Sequence, residues 1–264
     1  MKKILHIAEK KKIWFAIVAV CMIVSIGSIC IRGLNYGIDF VGGTIITMDL
    51  HTKFDTTETR TITDKYDKYA EITYAGDGQT QIVISTQKDL STEERQEIFD
   101  DFKEAYSLKD ADLISVDTVT PTVGSEMTKN AIIAVAIAIV LMLIYIWLRF
   151  ELFFGISAVL ALVFDMVNLI GFYSLFQIQV NTPFIAAILT ILGYSINDTI
   201  VVFDRIRENQ RMGLYTLDKN MLVNVSVTQT IKRSIYTVVT TLLAIVSLYI
   251  FGVTEIQNFA LPLI

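Results

Sequence analysis

The 264-residue chain is 53% hydrophobic and only 19% charged, with a mean hydropathy of +0.54, whereas a soluble chain of this size carries about 25% charged residues. Three Pro and two Cys exclude collagen-like, low-complexity and disulfide-stapled scaffolds. A net charge of −5 lacks the basic footprint of a nucleic-acid binder.

The first apolar run, Ile13–Ile31, carries no charge and reaches the roughly 20 residues that cross a bilayer. Lys2, Lys3, Lys10, Lys11 and Lys12 precede it, as they would a signal peptide. The run is longer than the roughly 7–15 residues of a cleaved apolar region and no A-x-A-like site follows, so it reads as a retained anchor. Cys21 and Cys30 lie in it, about 13 Å apart on one helix and too far to pair.

Segment 32–129 is acidic, with 19 Asp and Glu against 10 Lys and Arg. Gly43–Leu50 is β-branched and partly alternating, a strand. Thr56–Asp67 is compatible with a helix. Tyr69–Tyr74 and Gln79–Thr86 are strand-like around Ala75-Gly76-Asp77-Gly78, a hairpin turn signal. Ser91 and Glu94 form a capping box ahead of a helix with Ile98, Phe102, Ala105 and Tyr106 on one face. Leu113–Thr120 is a last strand, closed by Pro121. The order β-α-β-β-α-β is the split βαβ or ferredoxin-like pattern. His6 and His51 are isolated, so no metal-ligand spacing exists, and the dense carboxylates read as a solvated surface.

Four more apolar runs follow: Asn130–Leu148, Leu152–Phe176, Pro183–Phe203 and Ser234–Val253. A further run starts at Phe259, is too short to cross a bilayer, and reads as the start of a sixth span. The short loops on one side hold 12 Lys and Arg, and those on the other, Gln177–Thr182 and Thr254–Asn258, hold none. Basic loops stay in the cytoplasm, so the N-terminus is expected there and segment 32–129 outside. The expected organisation is residues 1–31, cytoplasmic N-terminus and first transmembrane helix; 32–129, an extracytoplasmic ferredoxin-like domain; and 130–264, a transmembrane bundle. The fold class is thus a multi-span α-helical membrane protein, a six-helix bundle with its sixth span cut short, carrying an α+β domain.

Ionisable groups in mid-span are costly and mark pathways or paired charges. Asp165 sits near the centre of the third run and Asp198 within the fourth. Arg233 stands at the entry to the fifth, on one helical face with Ser226, Thr230, Thr237 and Thr240. Asn168 is one turn from Asp165, and Asn197 adjoins Asp198. The Asn, Ser and Thr read first as interhelical glue; for the carboxylates a pathway is favoured, because neutral residues bind helices at lower insertion cost. An Asp that meets an Arg in one conformation and leaves it in another binds and releases a proton. Ala186, Thr190, Gly193 and Asn197 form a small-residue face suited to close helix packing. Arg205–Arg211 reads as topology-setting charge, with a juxtamembrane lipid cluster as the alternative. No P-loop occurs, and no enzymatic constellation stands out.

Four segments resemble the SecD/SecF family of protein-export membrane proteins, within the resistance-nodulation-division superfamily. They are Gly37-Ile38-Asp39-Phe40-Val41-Gly42-Gly43-Thr44, Thr122-Val123-Gly124-Ser125-Glu126, the run from Gly193 to Asn209 around Asn197-Asp198-Thr199, and the run from Asn224 to Ser234. The short outer segment is similar to the SecF branch. The resemblance implies a bacterial cell (inner) membrane protein. Its implied partners are a SecD-like subunit, the SecYEG channel and YajC, with preproteins as substrate and membrane lipid around it. It implies no cofactor; the proton is the coupling ion, with sodium left open. It assigns Asp198 as proton carrier, Arg233 as counter-charge, and Asp165 and Asn197 as companions, with Gly37, Asp39, Phe40, Gly42 and Gly43 as the signature motif. Two other readings stay open: a proton-coupled small-molecule or lipid exporter of the same superfamily, which would carry much larger outer domains, and a scaffold that moves no protons.

Overall fold

The computed structural model describes residues 4–76, 78–213, 218–252 and 254–264. Lys2, Lys3, Asp77 and Val253, which enter the expectations above, lie outside them.

Among the described residues, five helices are long and apolar enough to cross a membrane. They are α1 (Lys11–Arg32), α5 (Pro121–Arg149), α6 (Leu152–Phe176), α7 (Thr182–Arg211) and α8 (Lys219–Phe251). Their large apolar side chains point outward: Phe15, Trp147 and Phe153 are all mostly exposed. That is the pattern of helices solvated by lipid, which satisfy their backbone internally.

Between α1 and α5 the chain forms β1 (Asn35–Tyr36), α2 (Ile38–Val41), β2 (Gly43–Asp49), α3 (Thr56–Thr63), β3 (Glu71–Ala75), β4 (Gln81–Thr86), α4 (Thr92–Tyr106) and β5 (Leu113–Val119). Strands β2 to β5 make one antiparallel sheet in the order β3-β4-β2-β5. The order of elements is the expected β-α-β-β-α-β. Alternation works as read: Ile46, Met48, Ile72, Ile82 and Ile84 turn to one face and meet Ile98, Phe99 and Phe102 of α4. Ser91 Oγ accepts from Glu94 N at 3.2 Å and Glu94 Oε2 from Ser91 N at 2.8 Å, so the capping box forms. Asp55 caps α3, accepting from Thr57 N at 2.8 Å.

Several boundaries differ from the sequence reading. Pro121 does not merely close β5: it is the first residue of α5, where its missing N–H costs nothing. The helix around the second run therefore starts ahead of Asn130. α7 continues past Phe203 through Asp204–Arg211, which contains no Gly or Pro, and ends just before Gly213 with its positive φ. α8 starts well before Ser234, where Asp218 accepts from Asn220 N and Met221 N. Segment Thr254–Asn258, expected as a loop, belongs to the helix α9 (Thr254–Ala260).

α1 lies along α6. A Cβ on Gly171 would come within 2.3 Å of Ser25 Cβ, so only Gly allows this approach. Ser25 Oγ donates to Asn168 Oδ1 at 3.1 Å, and Ser28 Oγ meets Ser174 Oγ at 3.0 Å. The expected small-residue face of α7 behaves differently: a Cβ on Gly193 would meet nothing within 4 Å.

Gly43 joins the motif segment to the sheet with φ +151°, and a Cβ there would fall 2.1 Å from Thr86 O. Gly43→Ala is expected to cost at least about 1–3 kcal/mol of stability from backbone strain alone, read as a lowered thermal unfolding midpoint of the detergent-purified chain. The same substitution at the open Gly193 should cost nothing.

Candidate functional site

Asp165 on α6 and Asp198 on α7 line one cleft of about 760 Å³ between α6, α7, α8 and the C-terminal residues Leu261–Ile264. Helical spacing explains the wall of α7: Ile191, Tyr194, Ser195 and Asp198 recur at three- and four-residue intervals. Thr199, Thr237 and Thr241 add hydroxyls, and Leu169, Phe172 and Leu242 add apolar surface. Ser195 Oγ donates to Asp165 Oδ2. The carboxylate of Asp198 is half-buried and, among the described residues, has neither an ion-pair nor a hydrogen-bond partner. Asn168 also lines the cleft and donates to Phe164 O at 2.7 Å while accepting from Ser25. One asparagine thus joins the cleft to the α1–α6 contact.

Arg233 and Asn197 do not lie in this cleft. They line a neighbouring crevice of about 450 Å³ between α7 and α8, together with Asp204, Arg205, Glu208, Gln229 and Thr230. The expected Asp198–Arg233 contact is therefore absent in this structure, and the Arg233 guanidinium is exposed and unpaired among the described residues. Thr237 is one turn beyond Arg233 on α8 and does line the Asp198 cleft. Helical residues four apart are neighbours, so Arg233 stands one turn from the cleft that holds Asp198. Of its expected hydroxyl companions, Thr230, Thr237 and Thr240 each donate to a carbonyl on their own helix. Their oxygens keep lone pairs free for a second partner.

The Asp165–Asp198 cleft brings carboxylates together with hydroxyls. A carboxylate surrounded by hydroxyls and facing a cavity can take up and release a proton or a small cation through water.

The signature residues form a different device, a junction. β1 runs parallel to β6 (Gln179–Val180) in the α6–α7 connection, and Gly37 N donates to Val180 O at 2.6 Å. Asp39 Oδ2 accepts from Thr182 N at 2.8 Å. Thr182 opens α7 and its own N-cap, Asn181, makes no side-chain cap, so Asp39 caps the helix from across the chain. Phe40 packs into the core of the helical bundle. Its carbonyl lies where a Cβ on Gly124 would come within 2.6 Å, which locks α2 onto α5. Gly42 has φ +89°, a turn that favours glycine. Arg32 Nη1 donates to Leu175 O at 2.8 Å and so satisfies the end of α6. The Asp39 and Arg32 caps had no local sequence signal, because their partners are far along the chain.

Glu71 on β3 sits at this junction. Its burial, and then the nearby Asp39 carboxylate, raise its pKa above the ordinary value, while the Gln179 amide faces its oxygens.

Comparison with known proteins gives the family. Residues 99–264 match the family profile described as "Protein export membrane protein SecD/SecF, C-terminal", and residues 27–53 match the "SecD/SecF GG Motif". The protein translocase subunit SecF of Sebaldella termitidis is 39% identical over 98% of this chain and 85% of its own length. That of Acidaminococcus fermentans is 36% identical over 100% of this chain and 91% of its own length. The crystal structure of SecDF, a translocon-associated membrane protein from Thermus thermophilus, superposes with a TM-score of 0.81 at 34% identity. It covers 99% of this chain, which spans 36% of that larger protein.

Two outcomes are expected at the junction. Asp39→Ala should cost about 0.5–2 kcal/mol, the loss of a helix cap, with Asp39→Asn largely restoring thermal stability. The native state holds the Glu71 proton to higher pH than the unfolded chain, so stability should fall as pH rises from about 4.3 through the raised pKa. In a thermal-melt series over pH, Glu71→Gln should flatten that descent.

Proposed function

Because the chain belongs to the SecD/SecF family of protein-export membrane proteins and is an accessory subunit of Sec translocation, we propose that it uses the proton motive force to assist preproteins through the SecYEG channel. Asp198 carries the proton, Arg233 is the charge it meets in another arrangement of α7 and α8, and Asp165 and Asn197 line the route. The observation that carries this reading is the shared cleft: two intramembrane carboxylates among hydroxyls, with the unpaired Arg233 one helical turn away.

The partner is a SecD-like subunit, since SecDF relatives join both halves in one chain. SecYEG and YajC complete the assembly. In this reading the N-terminus is cytoplasmic, the chain is multi-pass in the bacterial cell membrane, and the β-α-β-β-α-β unit is an extracytoplasmic ferredoxin-like domain. The sheet order β3-β4-β2-β5 supports the last point. The junction built by Asp39, Gly37 and Gly124 then supplies the mechanics. A shift of α7 on proton uptake is passed to the outer unit through a capped helix end rather than a loop. The exporter reading is not favoured, because the relatives are translocase subunits.

Membrane vesicles containing this chain, a SecD-like subunit and the Sec channel test the reading. Asp198→Asn should remove the stimulation of preprotein translocation by an imposed proton gradient, at full expression, and Asp198→Glu should retain part of it. Undiminished stimulation in Asp198→Asn would support the scaffold reading. Stimulation that follows a sodium gradient would assign that ion instead.

A further inference from the structure

Where α5 ends, α6 begins and α7 ends, at one surface of the bundle, two adjoining hollows have no part in the proton route. The first, about 370 Å³, is lined by Arg149, Asp204, Arg207, Glu208, Arg211 and Met212. The second, about 280 Å³, lies between α5 and α6 and is apolar except for Glu151, with Ile146, Trp147, Phe150, Leu152 and Gly155 in its walls. They meet at Phe150. Its ring lines the apolar hollow and lies under both the Arg149 guanidinium, at 5.3 Å, and the Arg207 guanidinium, at 5.5 Å.

The polar hollow is preorganised and not neutral. Asp204 Oδ1 pairs with Arg149 at 2.8 Å and with Arg207 at 3.9 Å. Glu208 is already held by Arg205. Arg207 Nη1 also donates to Arg149 O at 2.9 Å, which fixes its guanidinium against the end of α5. Arg211 has no ion-pair or side-chain hydrogen-bond partner among the described residues. Three guanidiniums thus face one carboxylate that is not held from elsewhere, Asp204, which two of them already share, and most of their N–H donors are free. Beside them, Trp147, Leu148 and Phe153 are 73%, 76% and 80% exposed, an apolar flank that belongs in lipid.

We propose that these hollows form a binding site for one anionic phospholipid. Its headgroup phosphate is held by Arg149, Arg207 and Arg211, and an acyl chain lies in the crevice between α5 and α6. Basic pockets between helix ends recognise anionic headgroups in this way, and guanidinium forks match phosphate oxygens. A free phosphate would use only the polar half, and a zwitterionic lipid would bring its cation against the excess arginine charge. This inference does not depend on Asp198 or on proton coupling.

Native mass spectrometry of the full chain, titrated with dioleoyl phosphatidylglycerol or dioleoyl phosphatidylcholine, tests it. The expected result is about tenfold tighter binding of phosphatidylglycerol, with the preference lost in Arg149→Gln/Arg211→Gln. Gly155→Leu should weaken phosphatidylglycerol without touching a charge; a Cβ there meets only Ile146 Cγ2, at 3.6 Å, and unchanged melting of this variant confirms its fold. Glycerol phosphate, which has no acyl chain, should fail to displace the lipid. Equal binding of the two lipids, an unchanged preference in the arginine variant, undiminished binding in Gly155→Leu, or displacement by glycerol phosphate would each overturn the proposal.

Discussion

An ionised carboxylate in hydrocarbon costs about 2.5–3.5 kcal/mol even on the most lenient insertion scales, and this chain carries Asp165 and Asp198 within helices long and apolar enough to cross a membrane. Everything around Asp165 and Asp198 answers that cost. Helices α6 and α7 turn both groups into one cleft instead of toward lipid, and Ser195 supplies a hydroxyl to Asp165. Asn168 ties the cleft wall to Ser25 on α1, and Gly171 lets α1 come close enough for that hydrogen bond to form. Asp198 has no such partner among the described residues. An acid without a fixed partner is the one whose protonation can follow a change in surroundings.

The second constraint is mechanical. A helix of the bundle can shift its own ends without moving the sheet unit unless something rigid joins the two. The motif segment from Gly37 to Gly43 is that join. It adds a strand to the α6–α7 connection, caps α7 through Asp39, and seats Phe40 against Gly124 of α5. The glycines are where backbones cross too closely for a side chain. The motif is thus a linkage between sheet and bundle.

Much of this was legible along the chain because it is local. Apolar runs of spanning length, the β-branched alternation of Gly43–Leu50 and the Ser91–Glu94 box depend on neighbours within a few residues, and each formed. Helix ends were misplaced where charge was taken for termination. Asp204–Arg211 is polar but has nothing to break a helix, so α7 runs on. The long-range contacts carried no sign. Asp39 and Thr182 are 143 positions apart, and nothing near Asn181 reveals that its helix is capped from elsewhere. Ala186, Thr190, Gly193 and Asn197 have the spacing of a packing face, yet the tight approach occurs at Gly171. Spacing defines a face, and only tertiary structure decides what it meets. Asp198 and Arg233 stand out in sequence as unusual charges, but nothing local shows that this arrangement keeps them in adjoining crevices.

The proposed mechanism requires that Asp198 change its protonation as the helices rearrange. Infrared difference spectroscopy of the chain in lipid, titrated over pH and compared with Asp198→Asn, measures this directly. The account predicts a protonated-carboxyl band that depends on pH, vanishes in Asp198→Asn, and changes when Arg233 is replaced by Gln. A carboxyl at Asp198 that stays in one protonation state across the whole range, or a band indifferent to Arg233, would contradict it.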